Sequence, residues 1–177
     1  SVSSNLTFAN TAGASLDLNG LNQEIRSVTG GGTTGGAIVN SGGSTSVLSI
    51  RTTADTAFAG TIDGDIRLEI LGSKTSPSLT SPRQRLTGTA NTYTGGTLVD
   101  GATLLARADG SLGAVPIAFQ ADNITLQNNG TLLNNEASLS IHAHRGITLG
   151  TGGGGIAGGW DSTVTIGSAI SGAAGNQ

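Results

Sequence analysis

Along residues 91–106, apolar and polar side chains take turns with a period of two. Tyr93, Gly95, Thr97 and Val99 fall on one face of an extended chain, and Leu104 and Ala106 return to that face after Asp100-Gly101. The β-branched Thr and Val residues favour a pleated backbone, and Asp and Gly tolerate the left-handed conformation that a sharp change of direction requires. The same alternation recurs at Leu6 and Phe8, at Leu16 and Leu18, and at Ile66, Leu68 and Ile70, where Arg67 and Glu69 point outward. No segment sustains a 3.6-residue period with caps at its ends, so the chain predicts short strands and almost no helix. The expected inward row is Phe8, Leu16, Leu18, Phe58, Ile62, Tyr93, Val99 and Leu104.

Composition says how such strands can be buried. Gly, Thr, Ser and Asn number 30, 24, 19 and 12 of the 177 residues, a bias that by itself suggests disorder. Yet 36% of the chain is apolar and only 11% charged, the reverse of the disordered balance. With one Trp, one Tyr and three Phe, a broad aromatic core is out of reach. Many thin layers, each burying a few aliphatic side chains, fit better, and that is the logic of a solenoid. At about 20 residues per turn the chain would make about eight rungs spaced ~4.8 Å apart, a rod ~40 Å long.

Further strands are expected at 37–40, 47–50, 57–62, 117–119, 124–126, 131–133, 139–141, 147–149 and 164–166, with a partial one near residue 170. Corners or loops fall at the glycine-rich stretches 30–36 and 150–159. Two internal echoes support repetition: residues 5–10 against 123–128, and 58–64 against 93–101. Residues 73–85 break the pattern, holding two of the three prolines and three of the eight basic residues, and are expected to protrude as a loop.

The run Asn91-Thr92-Tyr93-Thr94-Gly95-Gly96-Thr97, followed by a short strand, a turn and Thr103-Leu104, resembles the passenger-associated repeat of bacterial autotransporters and related giant surface proteins. The likeness continues more loosely through 112–117, and residues 6–13 and 22–25 are similar to segments that accompany such repeats. Before the Asn-Thr-Tyr motif the family places a Gly-rich strand with Thr-Leu-Thr-Leu, where this chain keeps only Leu86-Thr87-Gly88. The resemblance covers most of the chain. It implies an all-β fold, a right-handed parallel β-helix with protruding loops, displayed outside the cell on a bacterial surface. Residues 1–177 would form a single section of that helix, a fragment or repeat unit of a longer surface protein. It implies no activity, because fold and function are separable.

Several functions are excluded on charge and residue type. A net charge of −3 and a pI near 5.1 oppose a nucleic-acid partner. No apolar run approaches the ~20 residues of a membrane span, and any export leader has been removed or lies outside these residues. The absence of Cys removes disulfides and thiolate metal sites. His142 and His144 would share the solvent face of a strand, with no third ligand at suggestive spacing. Asp63 and Asp65, with Asp55 and Asp100, are the carboxylates that a polysaccharide-cleaving β-helix would gather in a groove, but no cluster of Arg, Lys and aromatics accompanies them. Residues 150–155 lack the Lys-Ser/Thr ending of a phosphate loop.

Catalytic residues, metal ligands and cofactors are therefore expected to be none. Lys74, Arg83, Arg85 and Trp160 are the candidates for holding a glycan or partner. Leu98 and Leu105, at outward positions, are the candidates for an assembly face. The reading is a non-enzymatic stalk, scaffold or fibre subunit that self-associates end to end or laterally, or continues into further repeats. An adhesin module and a glycan-cleaving enzyme are the alternatives.

Overall fold

The computed structural model describes residues 4–76, 79, 82–136 and 138–172. The chain winds through seven rungs. The first carries β1 (Asn5–Phe8), β2 (Ser15–Asp17) and β3 (Gln23–Ile25); the second β4 (Ser27–Gly30), β5 (Ala37–Asn40) and β6 (Ser46–Arg51); the third β7 (Thr56–Phe58), β8 (Thr61–Gly64) and β9 (Ile66–Leu71). The fourth has β10 (Arg83–Leu86) and β11 (Thr97–Asp100), and the fifth has β12 (Thr103–Ala106), a 3-10 turn at Asp109–Leu112 and β13 (Gln120–Gln127). The sixth carries β14 (Gly130–Asn134), β15 (Leu139–Ile141) and β16 (Arg145–Leu149), and the seventh β17 (Gly154–Gly158), β18 (Val164–Ile166) and β19 (Ile170–Gly172).

Two seven-stranded sheets run the length of the stack, ordered β1-β4-β7-β10-β12-β14-β17 and β3-β6-β9-β11-β13-β16-β19. A third face holds β2-β5-β8 and, further along, β15-β18. Between these two groups it is continued by backbone bonds from Tyr93 N to Ile62 O and from Ala114 N to Tyr93 O. Every pairing is parallel. This is a parallel β-solenoid, as expected, with seven turns rather than about eight. Rung length explains the difference: Arg83 sits beside Thr103, 20 residues on, but Thr103 sits beside Thr131, 28 on.

The alternation seen in sequence builds the core. Leu48 and Ile50 of β6, Ile66, Leu68 and Ile70 of β9, Val99 of β11 and Ile124 and Leu126 of β13 are all fully buried, one rung above another. Of the expected inward row, Phe8, Leu18, Phe58, Ile62, Tyr93, Val99 and Leu104 are buried, and Leu16 packs against them half-buried. Phe8 and Phe58 lie two rungs apart with their ring centroids only 5.6 Å apart. Gly30 is the residue between them in the ladder; its φ is +77°, and a Cβ there would meet Phe8 O at 2.2 Å. Only glycine lets the chain pass there.

Where strands bend into corners the backbone ladder is interrupted, and asparagines take its place. Asn40 accepts from Gly20 N and donates to Asp65 O, joining the first rung to the third. Asn91 accepts from Ile62 N and donates to Ser111 O, joining the third to the fifth.

Local expectations differ from the structure in several places. Residues 57–62 are split by a corner at Ala59 and Gly60 into β7 and β8. Residues 117–119 form no strand; Ile117 is fully exposed at an outward bend. Much of the glycine-rich stretch 150–159 is strand β17, because Gly155, Ile156 and Ala157 complete the ladder beside Thr131, Leu132 and Leu133. The sequence echoes do not mark equivalent positions. β1 and β13 lie on different sheets, and Tyr93 stacks on Ile62 rather than on Phe58. The repeat here is geometric, and apolar alternation meets its demands in any register.

Candidate functional site

β12 and β14 are buried along their whole length, on the inward and the outward side alike. The segment leaving β9 lies against their outer side at Lys74. Lys74 N donates to Gly101 O, and its Nζ donates to Thr103 Oγ1 at 3.0 Å and Thr131 Oγ1 at 2.8 Å. Burial holds the Lys74 ammonium below the ordinary lysine pKa. Arg83 and Arg85, expected within the protruding loop, belong to β10. Of the loop itself, residues 77, 78, 80 and 81 lie outside the described residues.

This arrangement corrects the expected assembly face. Leu105 is completely buried, and Leu98 retains 9% of its exposure. Leu105 stands in the outward row between Arg85 and Leu133, and Leu98 stands between Glu69 and Thr125. With ladder neighbours ~4.8 Å away on both sides, an outward aliphatic side chain is flanked along its length by theirs.

Of the four ligand candidates, Arg83 and Trp160 line one cavity, and Lys74 and Arg85 lie along the outer row beside Arg83. Arg83 and Arg85 project side by side from the outer face of β10, and Lys74 caps the row that runs from Arg83 through Thr103 to Thr131. Asp55 holds Arg83 through its backbone N–H and Nε, both at 3.1 Å. Glu136 pairs with Arg85 and lies 3.9 Å from Arg107 Nε. Next to these pairs is a cavity of about 310 Å³ lined by Leu79, Arg83, Leu133, Asn135, Gly159 and Trp160. Trp160 is 98% exposed. The turn that presents it is pinned, since Gly159 N and Ser162 Oγ both donate to Asn134 O. Arg107, Asn135 and Glu136 were missed in the sequence, and Asp55 was weighed there only as a catalytic carboxylate, because only the winding of the chain brings them together. Their one sequence-level signal is that each flanks a strand end.

The other sequence candidates do not assemble into a site. Asp63 accepts from Thr92 Oγ1, Asp65 from Thr45 Oγ1, and Asp100 from Gln127 and Asn128, so each carboxylate holds a side chain of a neighbouring rung. His142 and His144 lie in a turn, not on a strand face. Their rings meet edge to face at 4.8 Å, His144 N donates to His142 Nδ1, and His144 Nδ1 sits 2.8 Å from Pro116 O. Among the described residues, no three His, Asp or Glu side chains gather to hold a metal ion. A second groove, about 390 Å³, follows a corner floored by Gly60, Thr61, Gly88 and Thr89 and ends at Arg107. It reflects the close approach of glycine backbones, since a Cβ on Gly88 would lie 2.1 Å from Gly60 O.

The strongest polar centre is one that sequence reading passed over. Arg145 is completely buried at the start of β16. Its Nε donates to Asp109 Oδ1, Nη1 to Leu112 O, Ala114 O and Asn123 Oδ1, and Nη2 to Gly113 O at 2.7 Å. A planar fork of five N–H groups is the side chain able to satisfy so many acceptors at once. Arg145 thereby fastens the long excursion between β12 and β13 to the sixth rung.

Among known proteins, the chain is 34% identical over 153 residues to the adhesin BmaC autotransporter of Brucella suis biovar 1 (strain 1330). The match spans 84% of this chain and 4% of the relative's length. No family model matches the chain. No solved structure matches it either. The chain is therefore a distant homologue of a small part of an autotransporter adhesin, folded as a β-solenoid.

Proposed function

We propose that the chain is a non-enzymatic spacer module in the exported, surface-displayed part of an autotransporter-type protein. The observation that carries this reading is the pair of unbroken seven-stranded parallel ladders running the length of the stack. In a solenoid each rung contacts only its neighbours, so length is gained by adding rungs while the cross-section stays constant. Six rung spacings of ~4.8 Å give this section ~29 Å of reach. Asp63, Asp65 and Asp100 each accept from a neighbouring Thr or Gln side chain, a structural use that speaks against the paired carboxylates of a glycan-cleaving enzyme. Similarity to an autotransporter adhesin supports an extracellular setting.

The test is to insert the chain between an outer-membrane display anchor and a terminal epitope, and to measure epitope height and protease resistance. The expected result is added height of about 30 Å with the insert intact under protease. An insert that is digested, or that adds no height, contradicts the proposal.

A further inference from the structure

We infer that the outer face around Arg83 and Trp160 is a binding site for an acidic glycan, one whose sugar units carry carboxylate or sulfate groups. Four of the chain's eight Lys and Arg residues, Lys74, Arg83, Arg85 and Arg107, gather on this face of a protein whose net charge is −3. Asp55 pairs with Arg83, and Glu136 with both Arg85 and Arg107, so the four cations face these two carboxylates, with Asp161 next to Trp160. A positive island on an acidic chain selects an anionic partner.

The geometry then narrows the partner's class. Trp160 offers a bare indole beside the cavity, the platform on which the C–H face of a sugar ring lies. Asp55 engages Arg83 through Nε, and Arg83 lines the cavity, where a guanidinium is the group suited to a carboxylate or sulfate. The Asn135 amide supplies both a donor and an acceptor for hydroxyls. At about 310 Å³ the cavity is at the lower end of the ~300–1,000 Å³ seen for small-ligand sites, the scale of a terminal sugar rather than of a folded partner. The site needs no covalent chemistry and is independent of whether the solenoid acts as a spacer.

Trp160 is the chain's one tryptophan, so intrinsic fluorescence reports on this site alone. The whole chain is titrated at low salt with a short oligogalacturonate and with a heparin-derived oligosaccharide; a neutral malto-oligosaccharide and oligothymidylate serve as controls. The expected result is a saturable shift with one or both acidic glycans, none with the neutral one, and about tenfold weaker binding for Arg83→Gln, the equivalent of one charge-assisted contact. Which acidic glycan responds distinguishes carboxylate from sulfate recognition. Trp160→Ala changes a fully exposed side chain and leaves folding intact; followed by calorimetry, it is expected to lose binding to the same glycan. Failure of both acidic glycans to shift the emission overturns the inference. So does an equal response to the neutral sugar, a stronger one to oligothymidylate, or binding unchanged in both variants.

Discussion

Replacing Arg145 by methionine removes the guanidinium fork while keeping a long, flexible stem in its place. The change strips donors from Leu112 O, Gly113 O, Ala114 O, Asn123 Oδ1 and Asp109 Oδ1 in a site with no solvent exposure at residue 145. Each bond to a charged donor contributes ~1.5–3 kcal/mol net, and the desolvation of the lost cation is recovered. The balance resembles the breaking of a buried ion pair from one side, ~3–5 kcal/mol. Because a solenoid transmits instability only to neighbouring rungs, the loss is expected to appear first as local opening of the excursion around residues 109–123. Native-state hydrogen exchange measures this at Ser111 N, bonded to Ala108 O, and at Ala114 N, bonded to Tyr93 O. A loss of that size corresponds to exchange faster by about a hundredfold or more at these amides, with the first two rungs unchanged. Arg145→Lys retains the charge but offers three donors from a single point, and is expected to lose about half as much. If Arg145→Met leaves exchange at Ser111 and Ala114 as in the parent protein, Arg145 does not fasten this excursion.

Other perturbations probe the ladder and the core. Gly60→Ala would place a Cβ 1.8 Å from Gly36 O, a backbone atom that cannot step aside; circular dichroism is expected to show loss of cooperative melting at 25 °C or a melting point lower by well over ~5 °C. Asn91→Ala leaves Ile62 N and Ser111 O without their partner and is expected to cost ~1–3 kcal/mol in urea unfolding. Burial raises the Tyr93 phenol well above its ordinary pKa of 10.0. A raised folded pKa means that the stability tied to the neutral phenol is complete below pH 10 and lost as pH rises beyond it. Tyr93→Phe loses the bond to Thr97 Oγ1, about 1 kcal/mol at neutral pH, but is expected to resist alkaline unfolding better than the parent; parallel melts at pH 7 and above pH 10 should cross over.

The fold was legible because its determinants are local. Alternation at Ile66, Leu68 and Ile70, and the Tyr93 to Ala106 pattern, specify strands with one buried face whatever the order of the rungs. Register was not legible, since the echoed segments 5–10 and 123–128 satisfy the same period on different sheets. Inward and outward assignments held for Phe58, Val99 and Leu105, but outward did not mean exposed for Leu105, which is completely buried between Arg85 and Leu133. Arg145 was invisible for a related reason. An arginine near two histidines reads as surface until the excursion that wraps it is known. Residue type alone singled out Lys74, Arg83, Arg85 and Trp160 as candidates, and only the winding that stacks β10, β12, β14 and β17 sets where they lie.

The spacer proposal rests on rungs that are mechanically separate units in one continuous stack, and single-molecule stretching of the chain between its two ends tests this most directly. Partners in the ladder are 20 residues apart at Arg83 and Thr103 and 28 apart at Thr103 and Thr131. Rung-by-rung release should therefore give a series of extension steps of ~7–10 nm each. A single all-or-none extension with no intermediate steps would contradict the account.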